Sequence, residues 1–109
     1  EFIFAEVDGQ TVAYSCFGPV PLTKSSYDLY WIATHSRYRN KGIGKILLRK
    51  TEENITARHG TAVYAETSSR PKYEPTRQFY LRNGYTLKAR FEDYYDAGDD
   101  LVFFVKRLD

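Results

Sequence analysis

Cysteine is almost absent from this chain: Cys16 stands alone, so no internal disulfide can form and a reducing compartment is expected. Long apolar runs are missing as well. None approaches the roughly 20 residues that span a bilayer, and no signal-peptide pattern opens the chain. Neither sign of charge dominates, since 16 Lys and Arg face 14 Asp and Glu for a net charge of +2, which argues against general nucleic-acid affinity. Histidine is scarce. His35 and His59 lie far apart with no Cys or paired carboxylate at ligand spacing, so no metal site is expected. These absences leave a cytoplasmic protein with no nucleic-acid or membrane partner. What is present suffices for a core: of 109 residues, 42% are hydrophobic and 17% aromatic. That size fits a single domain spanning 1–109, or a piece of a larger protein. Ten of the aromatics are tyrosines, so a tyrosine by itself is a weak functional pointer.

The pattern of residues predicts alternating strands and helices. "EFIFAEVDGQTVAYSCFG" places two strand-like runs around Asp8-Gly9, a strong hairpin signal. The prolines of "GPVPL" (18–22) break that pattern, and "YDLYWIAT" (27–34) reads as the next strand. A helix from about Gly42 to Arg58 follows, with Ile43, Ile46, Leu47 and Ile55 on its apolar face. Gly60 supplies its stop signal. "TAVYAET" (61–67) is a third strand. A short helix over 75–83 has Pro75 in its first turn and Asn83-Gly84 at its end. Two last strands, "YTLKARFE" and "DLVFFVKRL", flank "DYYDAGDD", which reads as a solvated polar loop. The order implies a mixed α/β layer, mostly antiparallel, with one parallel βαβ crossover in its centre. The chain opens inside a strand with no initiating Met, so a missing N-terminal portion or a longer parent protein is expected.

"RYRNKGIGK" (37–45) puts four cationic side chains and two glycines between a strand and a helix. A helix start offers unpaired N–H groups and the positive end of the dipole, so an anion is the expected ligand. Three phosphate motifs fail there. A P-loop needs glycine at 39 and Ser or Thr at 46, where Arg39 and Ile46 stand. A dinucleotide fingerprint needs glycine where Leu47 stands, and a kinase loop fails at the same position. The spacing that remains is Arg39, Gly42, Gly44.

That spacing, R-x-x-G-x-G, resembles the acyl-CoA-binding motif of the GNAT superfamily of N-acetyltransferases. "FYLRNGY" (79–85) resembles the same family's later helix signature, and "DYYDAGDDLVFFVKRL" resembles its closing hairpin. The three signals stand in the family order and span almost the whole chain. Two departures limit what carries over. The family's usual first strand and helices, which help to wall the acceptor site, have no counterpart here. Tyr73 stands where an asparagine is common. The resemblance therefore bears more firmly on the donor than on the acceptor.

What the resemblance implies is acetyl transfer from acetyl-CoA to a primary amine on a small molecule or peptide. The pyrophosphate would lie on the backbone of Arg39, Asn40, Lys41, Gly42, Ile43, Gly44 and Lys45. The pantetheine arm would pair with Ile32, Ala33 and Thr34, where the parallel strands part, and a backbone N–H near Ile32 would receive the oxyanion. Tyr80 matches the family's general acid for the departing thiolate, with core packing as its plain alternative. Glu66 is the best-placed carboxylate for a base and Asp28 a weaker one; a water chain would also serve. Among Asp96, Asp99 and Asp100, one could attract a cationic amine. Arg70, Lys72 and Arg77 read as wet charged surface rather than as a 3′-phosphate site. A second reading is a non-catalytic acyl-CoA-binding regulatory domain of a larger enzyme. A sheet edge left open by the missing elements would favour a homodimer.

Overall fold

The computed structural model describes residues 1–109. Strands β1 (Phe2–Val7) and β2 (Gln10–Pro19) form the expected hairpin, with Asp8 and Gly9 both at positive φ, 52° and 79°. β3 (Ser26–Thr34) leads through a short 3₁₀ turn, Ser36–Tyr38, into α1 (Ile43–Ala57). β4 (Ala62–Ser68), a second 3₁₀ turn at Pro71–Tyr73 and α2 (Glu74–Arg82) follow, and β5 (Thr86–Asp96) and β6 (Asp99–Arg107) close the chain. The six strands make one sheet in the order β1-β2-β3-β4-β6-β5. All neighbours are antiparallel except β3 and β4, the two strands that α1 connects. The mixed, mostly antiparallel sheet with a central parallel crossover is thus as expected. No helix is long and apolar enough to cross a membrane.

Both helices pack on one face of the sheet. Leu48 and Ile55 of α1 share a core cluster with Tyr80 of α2, Tyr85, and the sheet residues Phe17, Leu29, Val63, Ala65, Val102 and Phe104. Removing that apolar surface from water is the main stabilising term. Buried polar pairs pin the helices in register. Ser15 and Thr51 share a hydrogen bond of 2.7 Å between β2 and α1. The Tyr85 hydroxyl donates to Glu52 at 2.9 Å, and Lys106 Nζ lies 3.0 Å from the other Glu52 oxygen.

Two expectations are corrected. The buried face of α1 is Leu47, Leu48, Thr51, Glu52 and Ile55, whereas Ile46 is 61% exposed. Periodicity alone missed this because Thr51 and Glu52 are buried through partners far away in sequence. The "DYYDAGDD" stretch is not a solvated loop either. β5 runs on through Asp96 and only Ala97 and Gly98 turn, so Asp99 and Asp100 enter β6 as buried residues. Their charges are met by Arg70 at 2.9 Å and by Arg90 at 2.6 Å.

Candidate active site

The parallel ladder is short. β3 pairs with β4 only from Ser26↔Ala62 to Leu29↔Ala65. Past that point β3 stays bonded to β2 as far as Thr34, and β4 stays bonded to β6 as far as Ser68. The two strands therefore part, leaving one free edge on Tyr30–Thr34 and another on Glu66–Ser68. The parting begins where the β2–β3 register skips Tyr30 (Cys16↔Trp31, then Phe17↔Leu29). A bulge at that position bends β3 and raises its twist, which accounts for the separation from β4. On that edge the backbone groups of β3 that do not bond to β2, those of Ile32 and the Thr34 N–H, face the gap and are available to an extended ligand.

The glycine segment stands at the end of that edge. Asn40 and Gly42 take positive φ, 62° and 80°, and Gly42 is the N-cap of α1 with no side chain capping the helix. The first N–H groups of α1 thus point outward without partners, and no acidic residue offsets the dipole. Arg39, Lys41 and Lys45 are exposed around it, with Arg39 Nε donating to the Thr34 carbonyl at 3.3 Å. The two glycines do different things. A Cβ on Gly42 would meet nothing, so its contribution is the left-handed turn. A Cβ on Gly44 would lie 3.3 Å from the Phe79 ring and 3.6 Å from Thr34 Oγ1, so Gly44 permits close packing of α1 against α2 and β3. The resemblance implies a pyrophosphate-binding role for the backbone of both glycines. Gly44 is also a packing residue.

Tyr80 and Glu66 lie on opposite sides of the sheet. Tyr80 is 3% exposed in the helix-side core, with ring centroids 5.6 Å from Phe104 and 5.3 Å from Tyr85. Burial raises its phenol well above the ordinary tyrosine value, so it stays protonated at every physiological pH. Glu66 is exposed, and alternation along β4 puts it on the face without helices. Burial first, and then the charge of Asp28, raise its carboxyl above the ordinary glutamate range. Asp28 is itself raised by burial. Tyr95 of β5 belongs to this group: burial, then Glu66, raise its phenol. Trp31, Tyr30 and Phe91 are about half-exposed on the same face, and Phe91 meets Phe103 edge-on at 6.1 Å.

The loop between β4 and α2 is fastened from both sides. Asp99 accepts from the Ser68 hydroxyl and pairs with Arg70. Ser69 and Asp100 exchange hydrogen bonds, Ser69 N–H to the Asp100 carbonyl at 3.0 Å and Asp100 N–H to Ser69 Oγ at 2.8 Å. Arg77 of α2 donates to the carbonyls of Ser68 at 2.7 Å and Arg70 at 3.0 Å. Arg77 is therefore a largely buried structural clamp rather than wet surface, and Arg70, though exposed, pairs with Asp99. The run of aspartates near the chain's end was the available signal, but its partners lie about 30 residues earlier and no local pattern links them.

The architecture matches known structures closely. A crystal structure from Desulfovibrio desulfuricans, assigned to the GNAT acetyltransferase family, agrees with a TM-score of 0.97 at 38% identity, covering 99% of this chain and 68% of that one. An aminoglycoside 6′-N-acetyltransferase complexed with coenzyme A has the same fold, with a TM-score of 0.84 at 17% identity, over 99% of this chain and 72% of that one. These likenesses define the fold as that of the N-acetyltransferases. The family model for an acetyltransferase (GNAT) domain matches residues 1–87, and the chain belongs to that family. An uncharacterized N-acetyltransferase of Methanocaldococcus jannaschii is 29% identical over 106 residues, which is 97% of this chain and 65% of that protein. The chain thus spans just under two thirds of the length of that relative.

Proposed function

We propose that this chain binds acetyl-CoA and transfers its acetyl group to a primary amine. The observation that carries this reading is the meeting of two features at one end of β3. The β3–β4 ladder opens after Leu29 and Ala65, and the uncapped start of α1 stands where β3 ends. A pantetheine arm fits the first as an added strand-like segment, and a pyrophosphate fits the second. The backbone from Arg39 to Lys45 holds the pyrophosphate, with Arg39, Lys41 and Lys45 adding positive charge. The edge of Ile32, Ala33 and Thr34 holds the arm, and the N–H near Ile32 stabilises the oxyanion as the amine attacks the thioester carbon.

On the opposite side of the gap, Glu66 takes a proton from the acceptor ammonium, freeing the neutral amine to attack, a role supported by its raised pKa, which brings it nearer the working pH. As the tetrahedral intermediate collapses, the C–S bond breaks and Tyr80 gives its proton to the departing thiolate. The raised pKa keeps Tyr80 protonated beforehand but disfavours the transfer itself. That transfer is balanced as the N–H proton of the tetrahedral intermediate replaces the one Tyr80 gives up. The acceptor approaches over the face that carries Asp28, Glu66, Tyr95 and Trp31, whose carboxylates and aromatic rings suit a cationic amine. A panel of amines incubated with acetyl-CoA, read by release of free thiol, tests this. The reading expects thiol release that depends on one class of amine; no release above the acetyl-CoA blank with any amine would contradict it.

A further inference from the structure

β4 changes neighbours along its length. Through Ala65 it is bonded on both edges, but at Glu66, Thr67 and Ser68 only β6 remains beside it. Thr67 has the same parity as Val63 and Ala65, which face the helices in one core cluster with Tyr80. It is 7% exposed, and its Oγ1 is the one buried side-chain polar atom without a hydrogen-bond partner. Three other buried hydroxyls are paired: Ser15 with Thr51, Thr51 with the Leu47 carbonyl at 2.8 Å, and Tyr85 with Glu52. A hydroxyl cut off from water and left unpaired is destabilising, and valine would fill this strand position at least as well. The exception falls where β4 has lost its β3 neighbour, across the gap from the open edge of β3.

We propose that the Thr67 hydroxyl is a binding group for the acyl donor, donating a hydrogen bond to a carbonyl oxygen of its acyl-pantetheine arm. The inference rests on the reading that an acyl donor occupies this gap. It adds a side chain on the β4 edge to a cradle otherwise made of β3 backbone and the α1 start. A hydroxyl without a partner in the free protein gains one when the arm enters, so the deficit of the empty state becomes selectivity for a donor with a carbonyl at that depth.

The test compares Thr67→Val and Thr67→Ser with the wild type in two measurements. Thermal unfolding of the free protein should show Thr67→Val at least as stable as wild type, because it removes an unpaired hydroxyl and little else. Calorimetric titration should show Thr67→Val binding acetyl-CoA roughly five- to tenfold more weakly, the loss of one neutral hydrogen bond, with Thr67→Ser close to wild type. Free CoA separates the two carbonyl sources. Weaker binding of both ligands places the bond on a pantetheine amide, and weaker binding of acetyl-CoA alone places it on the thioester. Wild-type affinity in Thr67→Val, or a Val variant less stable than wild type whatever its affinity, overturns the proposal. Wild-type protein that binds neither ligand removes the donor reading itself, and this proposal with it, before any variant is compared.

Discussion

On the helix-covered face of the sheet, Phe17, Val63, Ala65 and Phe104 are sealed from water, whereas on the other face Phe4, Trp31 and Phe91 stay about half-exposed beside Asp28 and Glu66. Both faces are rich in aromatics, but they are used differently. The helix face gathers its rings into one cluster with Leu48 and Ile55, and its fully sealed side-chain polar atoms are paired, Thr67 Oγ1 excepted. The other face stacks Phe2 on Phe4 in the open, with ring centroids 5.9 Å apart, and holds two carboxylates, of which Glu66 has its pKa raised by burial first and then by the charge of Asp28. Burial and pairing on the first face supply stability. Exposed rings and uncompensated charge on the second are the features the proposed acceptor would meet. The gap between β3 and β4 opens between the two faces.

The comparison breaks first on stability. Phe104→Ala should cost about 3–5 kcal/mol, since its ring is fully buried against Tyr80, while Phe4→Ala should cost well under about 1 kcal/mol. Urea unfolding of both variants checks this, and equal losses would erase the distinction between the faces. Next comes chemistry from either side of the gap. Glu66→Gln and Tyr80→Phe should each lower turnover by roughly a hundredfold or more while leaving acetyl-CoA affinity near wild type. Unchanged turnover in either variant removes that residue from the proton transfers.

A smaller effect concerns the clamp at the edge of the site. Asp99→Asn weakens the hold on Ser68 and Arg70 and should lower stability by about 1–2 kcal/mol in denaturant unfolding, the pair being half-exposed on the Arg70 side. It should raise the KM for the amine more than that for acetyl-CoA, because the segment it holds borders Glu66. Equal changes in both constants would assign Asp99 to folding alone. The smallest expected effect is on pH. Glu66 accepts a proton only when ionised, so turnover falls as pH drops through its raised pKa. Asp28→Asn removes the like charge, lowers that pKa and moves the acidic limb of the rate profile to lower pH; burial keeps it above the ordinary glutamate value. An unmoved limb would uncouple Asp28 from Glu66.

These two faces were unequally legible in the sequence. The hairpin at Asp8-Gly9, the crossover through α1 and the short helix ending at Asn83-Gly84 are written in local turn and cap chemistry, and the structure has them within a residue or two. The spacing of Arg39, Gly42 and Gly44 likewise led to the helix start at the end of β3. Groups defined by distant partners were not legible. Ile46 fits an apolar stripe yet faces solvent, while Glu52 looks like surface yet is held by Tyr85 and Lys106, 33 and 54 residues away. Asp99 and Asp100 looked like a wet loop because Arg70 and Ser68 meet Asp99, and Arg90 and Ser69 meet Asp100, only after the sheet forms. Thr67 could not be singled out at all, since its lack of a partner is a property of the fold. No local pattern announced the bulge at Tyr30 that opens the ladder.

The account depends most on an acyl donor lying at the α1 start and along the β3 edge. Calorimetric titration of acetyl-CoA into the wild-type chain and into Gly42→Glu addresses this directly. The variant leaves the protein's own packing undisturbed, because a Cβ at Gly42 meets nothing, but it strains the left-handed turn and sets a carboxylate at the proposed pyrophosphate site. The account predicts saturable one-to-one binding by the wild type and none detectable in the variant. Equal binding by both, or a wild type that ignores acetyl-CoA and binds ATP instead, would contradict it.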